Sequence, residues 1–360
     1  MLQHSGGRIG ERFVVNPLIH NMASNGKFRI LSIDGGGIRG LIPAKVLMEL
    51  ERELNKSEPD KKLYENFDLI CGTSTGAILA IAIALGVPSA DLVDFYKDHA
   101  KVIFPKWVFR VVPSKARAFI TSIYSNSALH KRLEEVYTEA NGGKIPLLND
   151  LKTNVCIPVF NGNDGQINVL KTRHHEEYMR DYKLPAHEVA MSSSSAPIYF
   201  PPHSFEFSNE YGSGKNVNMI DGGIFANNPS LIGILEATEK LGYQFSDLSL
   251  LSLGTGKGKH IIKTGWKPKD IWYWLFPKPR LLDIILDSQA QITEQYINFL
   301  KRLGEKNDEN FNYLRVQYDL GGDTIDLNAS SKKDLDRLEA IGDELAKNNL
   351  NNILKFLKKE

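Results

Sequence analysis

The sequence predicts an α/β domain of three layers, with a mainly parallel sheet between two layers of helices. Short apolar runs of strand length alternate along the chain with longer segments of helical periodicity, as in proteins built from β-α-β units. Several of these runs lack polar alternation, which is typical of strands covered on both faces. The 360 residues are 42% hydrophobic and 24% charged, which is ordinary for a folded domain with a large core.

The predicted strands are short and apolar, and most of the predicted helices lie between them. We assign strands to residues 28–33, 67–71, 155–160, 166–170, 217–220 and 248–253, the last clear strand of the chain. We assign helices to residues 41–54, 77–85, 91–100, 127–138 and 229–241. The segment 77–85 is apolar nearly all round, so we expect a buried helix there.

Three glycine-rich segments follow predicted strands. They are residues 34–40 (DGGGIRG), 72–76 (GTSTG) and 221–223 (DGG). Because ligands of open α/β sheets bind beyond the carboxyl ends of the strands, we expect the three segments to converge. A row of backbone N–H groups, an exposed serine and a carboxylate are the parts that acyl transfer requires.

The three segments, in this order, resemble the patatin-like phospholipase family. The family pattern is D-G-G-G-x-R/K-G, then G-x-S-x-G, then D-G-G/A, and the sequence matches each without a substitution. Residues 196–202 (APIYFPP) are similar to a further family segment, and the resemblance covers about residues 28–260. It implies a patatin-like fold and a lipid acyl hydrolase without cofactor. Such an enzyme cleaves glycerophospholipid acyl esters through a Ser-Asp dyad and an acyl-serine intermediate.

Ser74 is the predicted nucleophile and Asp221 the predicted base. Gly72 and Gly76 let the chain turn sharply at the serine, and the dipole of the following helix points its positive end at the hydroxyl. A hydroxyl needs a nearby base to become nucleophilic, and a carboxylate bonded to it can accept the proton. The alternatives are a serine that caps a buried helix and an aspartate that caps the turn formed by Gly222 and Gly223.

The glycine loop is the predicted oxyanion hole. Its donors would be the backbone N–H groups of Gly35, Gly36 and Gly37, which can approach a substrate closely. We group Arg39 with them, because it either fixes the loop or binds a lipid phosphate. Asp34 is expected to hold the loop by accepting N–H bonds, and Gly40 completes the motif. The serine run at residues 192–195 suggests close packing near this site.

The resemblance also bears on partners and location. Compact cytoplasmic members include antiviral defence effectors that cyclic dinucleotides activate, which makes a cyclic dinucleotide a candidate activator. The net charge of +1 gives no global field that would attract a nucleic-acid polymer. No apolar run has the length of a secretory signal or a membrane span. We expect a cytoplasmic protein that contacts the membrane phospholipid surface when active; the sequence does not give its oligomeric state.

The chain is predicted to have three parts. Residues 1–26 are expected to form a flexible N-terminal arm, residues 27–330 the catalytic domain, and residues 331–360 an amphipathic C-terminal helix. Within the domain, about 262–310 should be helical and is a candidate lid or lipid-interface segment. Aromatic and basic residues at 104–119 and 266–280 suit a lipid interface. The alternative for either stretch is a helix packed over the core with its lysines outward.

The glycine-rich motifs allow two other interpretations. Gly35, Gly37 and Gly40 satisfy the dinucleotide fingerprint G-x-G-x-x-G, but its acidic partner should end a second strand. Glu58 and Asp60 instead lie in a polar, proline-containing stretch, which disfavours a nicotinamide nucleotide. A non-catalytic module that binds lipid or nucleotide is a further alternative.

A Ser-Asp-His esterase would need a histidine after the aspartate, and only His260 qualifies. It follows the Gly/Lys loop 254–259, which lacks phosphate-loop spacing and is expected at the rim of the site. His174, His175 and His203 show no ligand spacing, so no metal site is predicted.

The two cysteines, Cys71 and Cys156, fall in predicted strands. We interpret both as small buried hydrophobic residues rather than as a disulfide framework.

Overall fold

The fold is described from a computed structural model. It covers residues 27–104, 124–262, 273–274, 280–307, 309–322 and 324–358. The predicted N-terminal arm and most of the two candidate lipid stretches lie outside these residues.

The central sheet is mainly parallel, as predicted. The described strands are β1 Phe28–Ile33, β2 Leu69–Gly72, β3 Asn154–Asn161, β4 Gln166–Lys171, β5 His203–Asn209, β6 Gly212–Asp221, β7 Leu248–Leu253, β8 Lys257–Gly258, β9 Asn312–Val316 and β10 Asp319–Gly321. Neighbours in the order β3-β2-β1-β7-β9 pair in parallel. Both β4 and β6 pair with β3 in antiparallel fashion, β5 does so with β6, and β8 pairs with β10 in a separate small sheet.

Helices precede and follow the parallel strands. The described helices are α1 Leu41–Leu54, α2 Thr75–Leu85, α3 Ser89–Ile103, α4 Ser127–Ala140, α5 Ala186–Ser194, α6 Gly223–Ala226, α7 Ser230–Leu235, α8 Arg280–Lys306 and α9 Lys332–Lys358. A π-helical turn, Glu236–Lys240, continues α7. Short 3-10 helices occupy Gly37–Gly40, Leu63–Asn66, Leu148–Asp150 and Phe245–Asp247. Every residue of α2 is buried, which confirms the expectation from its uniform apolarity.

Strand alternation distributes the core between the two faces of the sheet. Leu31 and Ile33 of β1 belong to a large apolar cluster with α1, α2, α3 and α9. Ile30, which points to the opposite face, packs in a second cluster with Ile234 of α7 and Ile297 of α8. The three-layer α/β/α arrangement is therefore confirmed.

Several elements depart from the expectation. The structure adds α5 and β5, it extends β6 to Gly212, and it places β9 after Leu248–Leu253, which is therefore not the last strand. Helix α5 carries a serine run of weak helical propensity, and the five-residue β9 contains the charged Arg315. Both elements are stabilised by tertiary contacts that the local sequence does not reveal.

Candidate active site

The three glycine-rich segments converge at one edge of the sheet. Parallel strands β1 and β2 end at the glycine loop and at the serine turn. Strand β6 is antiparallel, yet its last residue, Asp221, lies opposite Val159 near the carboxyl end of β3. All three segments therefore meet, although one arrives from the other direction.

Ser74 lies on a strained turn between β2 and α2. Its backbone has φ +55° and ψ −122°, a region that residues with a side chain seldom occupy. A Cβ on Gly72 would lie 2.1 Å from the Gly76 carbonyl oxygen, and one on Gly76 would lie 2.1 Å from that of Ile33. Both glycines are therefore required for the turn to pack against β1.

Asp221 is buried beside the serine. Its carboxylate accepts the Gly223 N–H at 2.7 Å and lies near enough to the Ser74 hydroxyl for that group to lower its pKa. Burial nevertheless raises the pKa of Asp221 to about 7, although both neighbouring groups act in the opposite direction. A carboxylate with this pKa is a far better proton acceptor at neutral pH than an ordinary aspartate.

Helix α5 and the residue that follows it accept hydrogen bonds from the backbone N–H groups of both dyad residues. The Ser74 N–H donates to Ser193 Oγ at 3.0 Å, and that hydroxyl donates to the Pro158 carbonyl at 2.8 Å. The Asp221 N–H donates to the Ser195 carbonyl at 3.1 Å. The close packing expected for the serine run is present, and Ser193 is a contact of the nucleophile that the sequence did not single out.

The glycine loop faces the same site. The Gly35 N–H donates to the Asn227 carbonyl at 2.9 Å, so this amide is already used. No acceptor for the Gly36 or Gly37 N–H is found among the described residues. A Cβ on Gly36 would lie 2.3 Å from Thr255 Oγ1, and Gly37 has φ +55°. The loop thus keeps two free donors in a conformation that needs glycine.

Side chains distant in sequence hold this loop. The Arg315 guanidinium of β9 donates to both carboxylate oxygens of Asp34, so the N–H bonds that this carboxylate accepts come from a side chain remote in the sequence. Arg39 donates to the Gly256 carbonyl at 3.4 Å, and its guanidinium lies 3.9 Å from Asp287. Of the two roles considered for the buried Arg39, these contacts favour fixing the loop.

An apolar cavity opens beside the nucleophile. Gly37, Ser74 and Thr75 form one end of it. Its other walls are mainly apolar, formed among others by Ile38, Ile78, Phe95, Ile103, Phe104, Leu129 and Phe200. A carbonyl group at Ser74 could thus be bound with its hydrocarbon chain out of water.

The alternative sites lack the required geometry. His260 binds Asp287 at 2.6 Å, whereas the described side-chain partner of Asp221 is Ser74, so no Ser-Asp-His relay is formed. Glu58 is exposed in the turn after α1, well ahead of the next strand. In a nicotinamide nucleotide site, the acidic residue would instead lie at the end of that strand.

The two cysteines are buried, as expected for small hydrophobic residues. Cys71 and Cys156 are free thiols that lie opposite each other on the neighbouring strands β2 and β3.

Comparison with known proteins identifies the family. The family model described as patatin-like phospholipase matches residues 31–234. Patatin-like protein 2 of Oryza sativa is 30% identical, with 90% of this chain and 85% of the relative covered. A cGAMP-activated phospholipase of Escherichia coli is 32% identical, with 89% of each chain covered. Among solved structures, VipD of Legionella pneumophila aligns with a TM-score of 0.42 at 12% identity, covering 91% of this chain and 67% of that one.

No helix in the described parts of the chain combines the length and apolarity that crossing a membrane requires.

The relatives named as phospholipases span most of the chain, and the matched segment contains the glycine loop, the serine turn and Asp221. The chain therefore belongs to the patatin-like phospholipase family, whose members are lipid acyl hydrolases.

Proposed function

We propose that this enzyme hydrolyses acyl esters of glycerophospholipids through Ser74 and Asp221. The observation that carries the proposal is a buried carboxylate, whose pKa is about 7, next to a serine hydroxyl on a strained turn. Asp221 accepts the Ser74 proton while Oγ attacks the ester carbonyl carbon. The C–O bond to the glycerol then breaks, and Asp221 returns the proton to the leaving alcohol.

The oxyanion of the tetrahedral intermediate is bound in this proposal by the free N–H groups of Gly36 and Gly37. Gly35 then shapes the loop without donating, because Asn227 occupies its amide. A water molecule, deprotonated by Asp221, next attacks the carbonyl carbon of the acyl-serine. The C–O bond to Ser74 breaks, Oγ takes the proton back from Asp221, and the fatty acid is released. The apolar cavity beside Ser74 would hold the acyl chain during both steps.

Contact with a membrane surface is supported by α8. One face of this helix carries exposed apolar side chains: Leu281, Ile285, Ile292, Tyr296, Phe299 and Leu303. Their spacing of three, four or seven residues places them along one stripe. Such a stripe suits shallow insertion between lipid headgroups, and α8 lies within the segment expected to contact lipid.

Activation by a cyclic dinucleotide is the second part of the proposal. It is supported by the E. coli relative, named a cGAMP-activated phospholipase, which is 32% identical over almost the whole chain. A phospholipase that shares a cell with its own substrate membrane needs a restraint, and a nucleotide signal would supply one. A role in antiviral defence would follow from such a signal.

The test is fatty-acid release from mixed phospholipid vesicles, measured by mass spectrometry with and without a panel of cyclic dinucleotides. We expect the native protein to release fatty acid, and we expect the rate of release to fall at least about 10³-fold in Ser74→Ala and in Asp221→Asn. The matched control is Asp164→Asn, the same substitution on an exposed turn, which should keep full activity. A fluorophosphonate should label native Ser74.

Each outcome has a defined meaning. Release that persists in Ser74→Ala would overturn the dyad. Strong native release without nucleotide would overturn the activation while leaving the dyad intact. No release under any condition, together with no labelling, would favour a module that binds lipid or nucleotide without catalysis.

A further inference from the structure

A cluster of imidazole and carboxylate groups lies outside the dyad. It joins His130 of α4, Glu188 of α5 and His203 of β5. Each residue comes from a different element, so no short-range spacing in the sequence could indicate the cluster. The absence of metal-ligand spacing around these histidines in the sequence is therefore compatible with a site formed in the fold.

The donor atoms of the cluster point at one place. His203 Nε2 lies 2.5 Å and His130 Nε2 lies 3.2 Å from the same oxygen, Oε2 of Glu188. One donor atom of each residue lies within 4.8 Å of those of the other two. Tetrahedral zinc with bonds of 2.0–2.1 Å separates neighbouring donors by about 3.3 Å. Shifts of the side chains alone would therefore fit an ion among them.

The surroundings favour a cation over a purely hydrogen-bonded cluster. The Glu188 and His203 side chains are only 13% and 9% exposed, so the carboxylate has lost most of its water. Next to it, the Nε2 atom of the buried His187 lies 3.7 Å from the other carboxylate oxygen of Glu188, Oε1. The His187 and His130 ring centres are 5.1 Å apart, which adds a third imidazole to the site. The His130 side chain is 28% exposed, so an ion can enter from solvent.

We propose that His130, Glu188 and His203 bind a divalent transition-metal ion of the zinc class. Two neutral imidazoles and one carboxylate form a donor set that zinc prefers, and the remaining position is open to water or to His187. The ion has a structural role, because the cluster contacts neither Ser74 nor Asp221.

The ion would clamp three elements that build the active site. Leu129, the neighbour of His130, lines the apolar cavity. Helix α5, which carries Glu188, also provides Ser193 as the acceptor of the Ser74 N–H. His203 pairs in the sheet with Met219, two residues before Asp221. Metal binding is therefore expected to stabilise the whole protein.

The test begins with the full-length protein treated with a chelator and then titrated with Zn²⁺. Elemental analysis after gel filtration should find about one zinc per chain, and the melting temperature should rise by roughly 4 °C or more at saturation. The bound Co²⁺ form should show the intense visible absorption of a tetrahedral ion. His130→Gln and Glu188→Gln should lose both the stoichiometric metal and the thermal shift.

The matched control is His175→Gln, which removes a partly exposed histidine outside the cluster and should bind zinc as the native protein does. His130 is the most exposed ligand, so its variant should fold, which circular dichroism checks. The proposal is wrong if the native protein holds no stoichiometric zinc. It is also wrong if His130→Gln keeps one zinc per chain, for example at the buried group of Cys156, His174 and Glu236.

Discussion

At the scale of single residues, the site depends on burying a carboxylate that must later ionise. Asp221 is 2% exposed and has the Ser74 hydroxyl and the Gly223 N–H as partners. Burial favours its neutral form, which is why its pKa is high. The same burial that improves the base therefore makes the ionised state costly for the fold.

The first prediction concerns pH and activity. The pKa of Asp221 is about 7, and the proposed base must be ionised in the free enzyme. We expect kcat/KM for a soluble ester to rise about tenfold per pH unit below 7 and to level off above it. A profile that levels off near pH 4 would contradict the assigned base.

The second prediction concerns pH and stability. The folded pKa of Asp221, about 7, exceeds its ordinary value of 3.8. Its contribution to stability is therefore fully present below about pH 4 and is lost as the pH rises through 7. Asp221→Asn, which cannot ionise, should be more stable than the native protein at pH 8 by roughly 2–4 kcal/mol, and the difference should vanish near pH 4. Urea unfolding at both pH values measures it, with Asp164→Asn as the control.

The third prediction tests the packing of the serine turn. A methyl group at Gly76 would meet the Ile33 backbone oxygen, which cannot move without disturbing β1. Gly76→Ala should therefore lower the free energy of unfolding by about 1–3 kcal/mol or more and abolish activity. Gly322→Ala, where no atom lies within 4 Å of the added Cβ, should change stability by less than about 0.5 kcal/mol. Equal effects of the two substitutions would refute the packing argument.

At the scale of elements, α8 contacts the sheet with one face and exposes apolar side chains on another. Ile297 is fully buried in the second core cluster. Phe299, two residues further, is 55% exposed, and Leu303 is 44% exposed. The helix is therefore fixed to the domain and still presents an apolar surface.

The fourth prediction addresses that surface. Replacing Phe299 and Leu303 together by Ser should reduce vesicle hydrolysis about tenfold or more, because each side chain loses its transfer energy into the interface. Hydrolysis of a soluble ester should be unchanged. Leu235→Ser, at an equally exposed position on α7, serves as the control. Equal losses on both substrates would mean that α8 acts on the fold and not on lipid contact.

At the scale of the whole molecule, the C-terminal part of the chain completes the N-terminal motif. Arg315 is 281 residues away from Asp34, and their buried ion pair joins β9 to the glycine loop. Helix α9 in turn packs on α1, where the Lys45 ammonium lies 2.8 Å from Asp343. The proposed oxyanion site is therefore stable only when both ends of the described fold are in place.

The fifth prediction tests this coupling. Arg315→Met leaves the Asp34 carboxylate buried without a counter-charge, so it should cost about 3–5 kcal/mol of stability and most of the activity. Adding Asp34→Asn removes the orphaned charge and should recover a large part of the lost stability. Denaturant unfolding of the native protein, both single variants and the double variant forms a complete cycle. Strict additivity would show that the pair is not coupled.

The parallel core, the positions of most of its strands and helices, and the proposed dyad follow from the amino-acid sequence alone. These features are local: apolar runs of strand length, helical periodicity, and glycines on both sides of Ser74. The convergence of the loop and the serine turn followed from the rule that such sheets bind ligands beyond the carboxyl ends of their parallel strands. Asp221 joins them on the antiparallel strand β6, to which that rule does not apply.

The groups that hold these motifs in place are set by tertiary packing. Asn227 occupies the Gly35 amide, Arg315 binds Asp34, and Ser193 accepts the Ser74 N–H. The first contact is made by a backbone carbonyl, which no sequence pattern marks, and the others join residues 119 and 281 positions apart. The raised pKa of Asp221 likewise comes from the surrounding core, because burial is a property of packing and not of the residue itself.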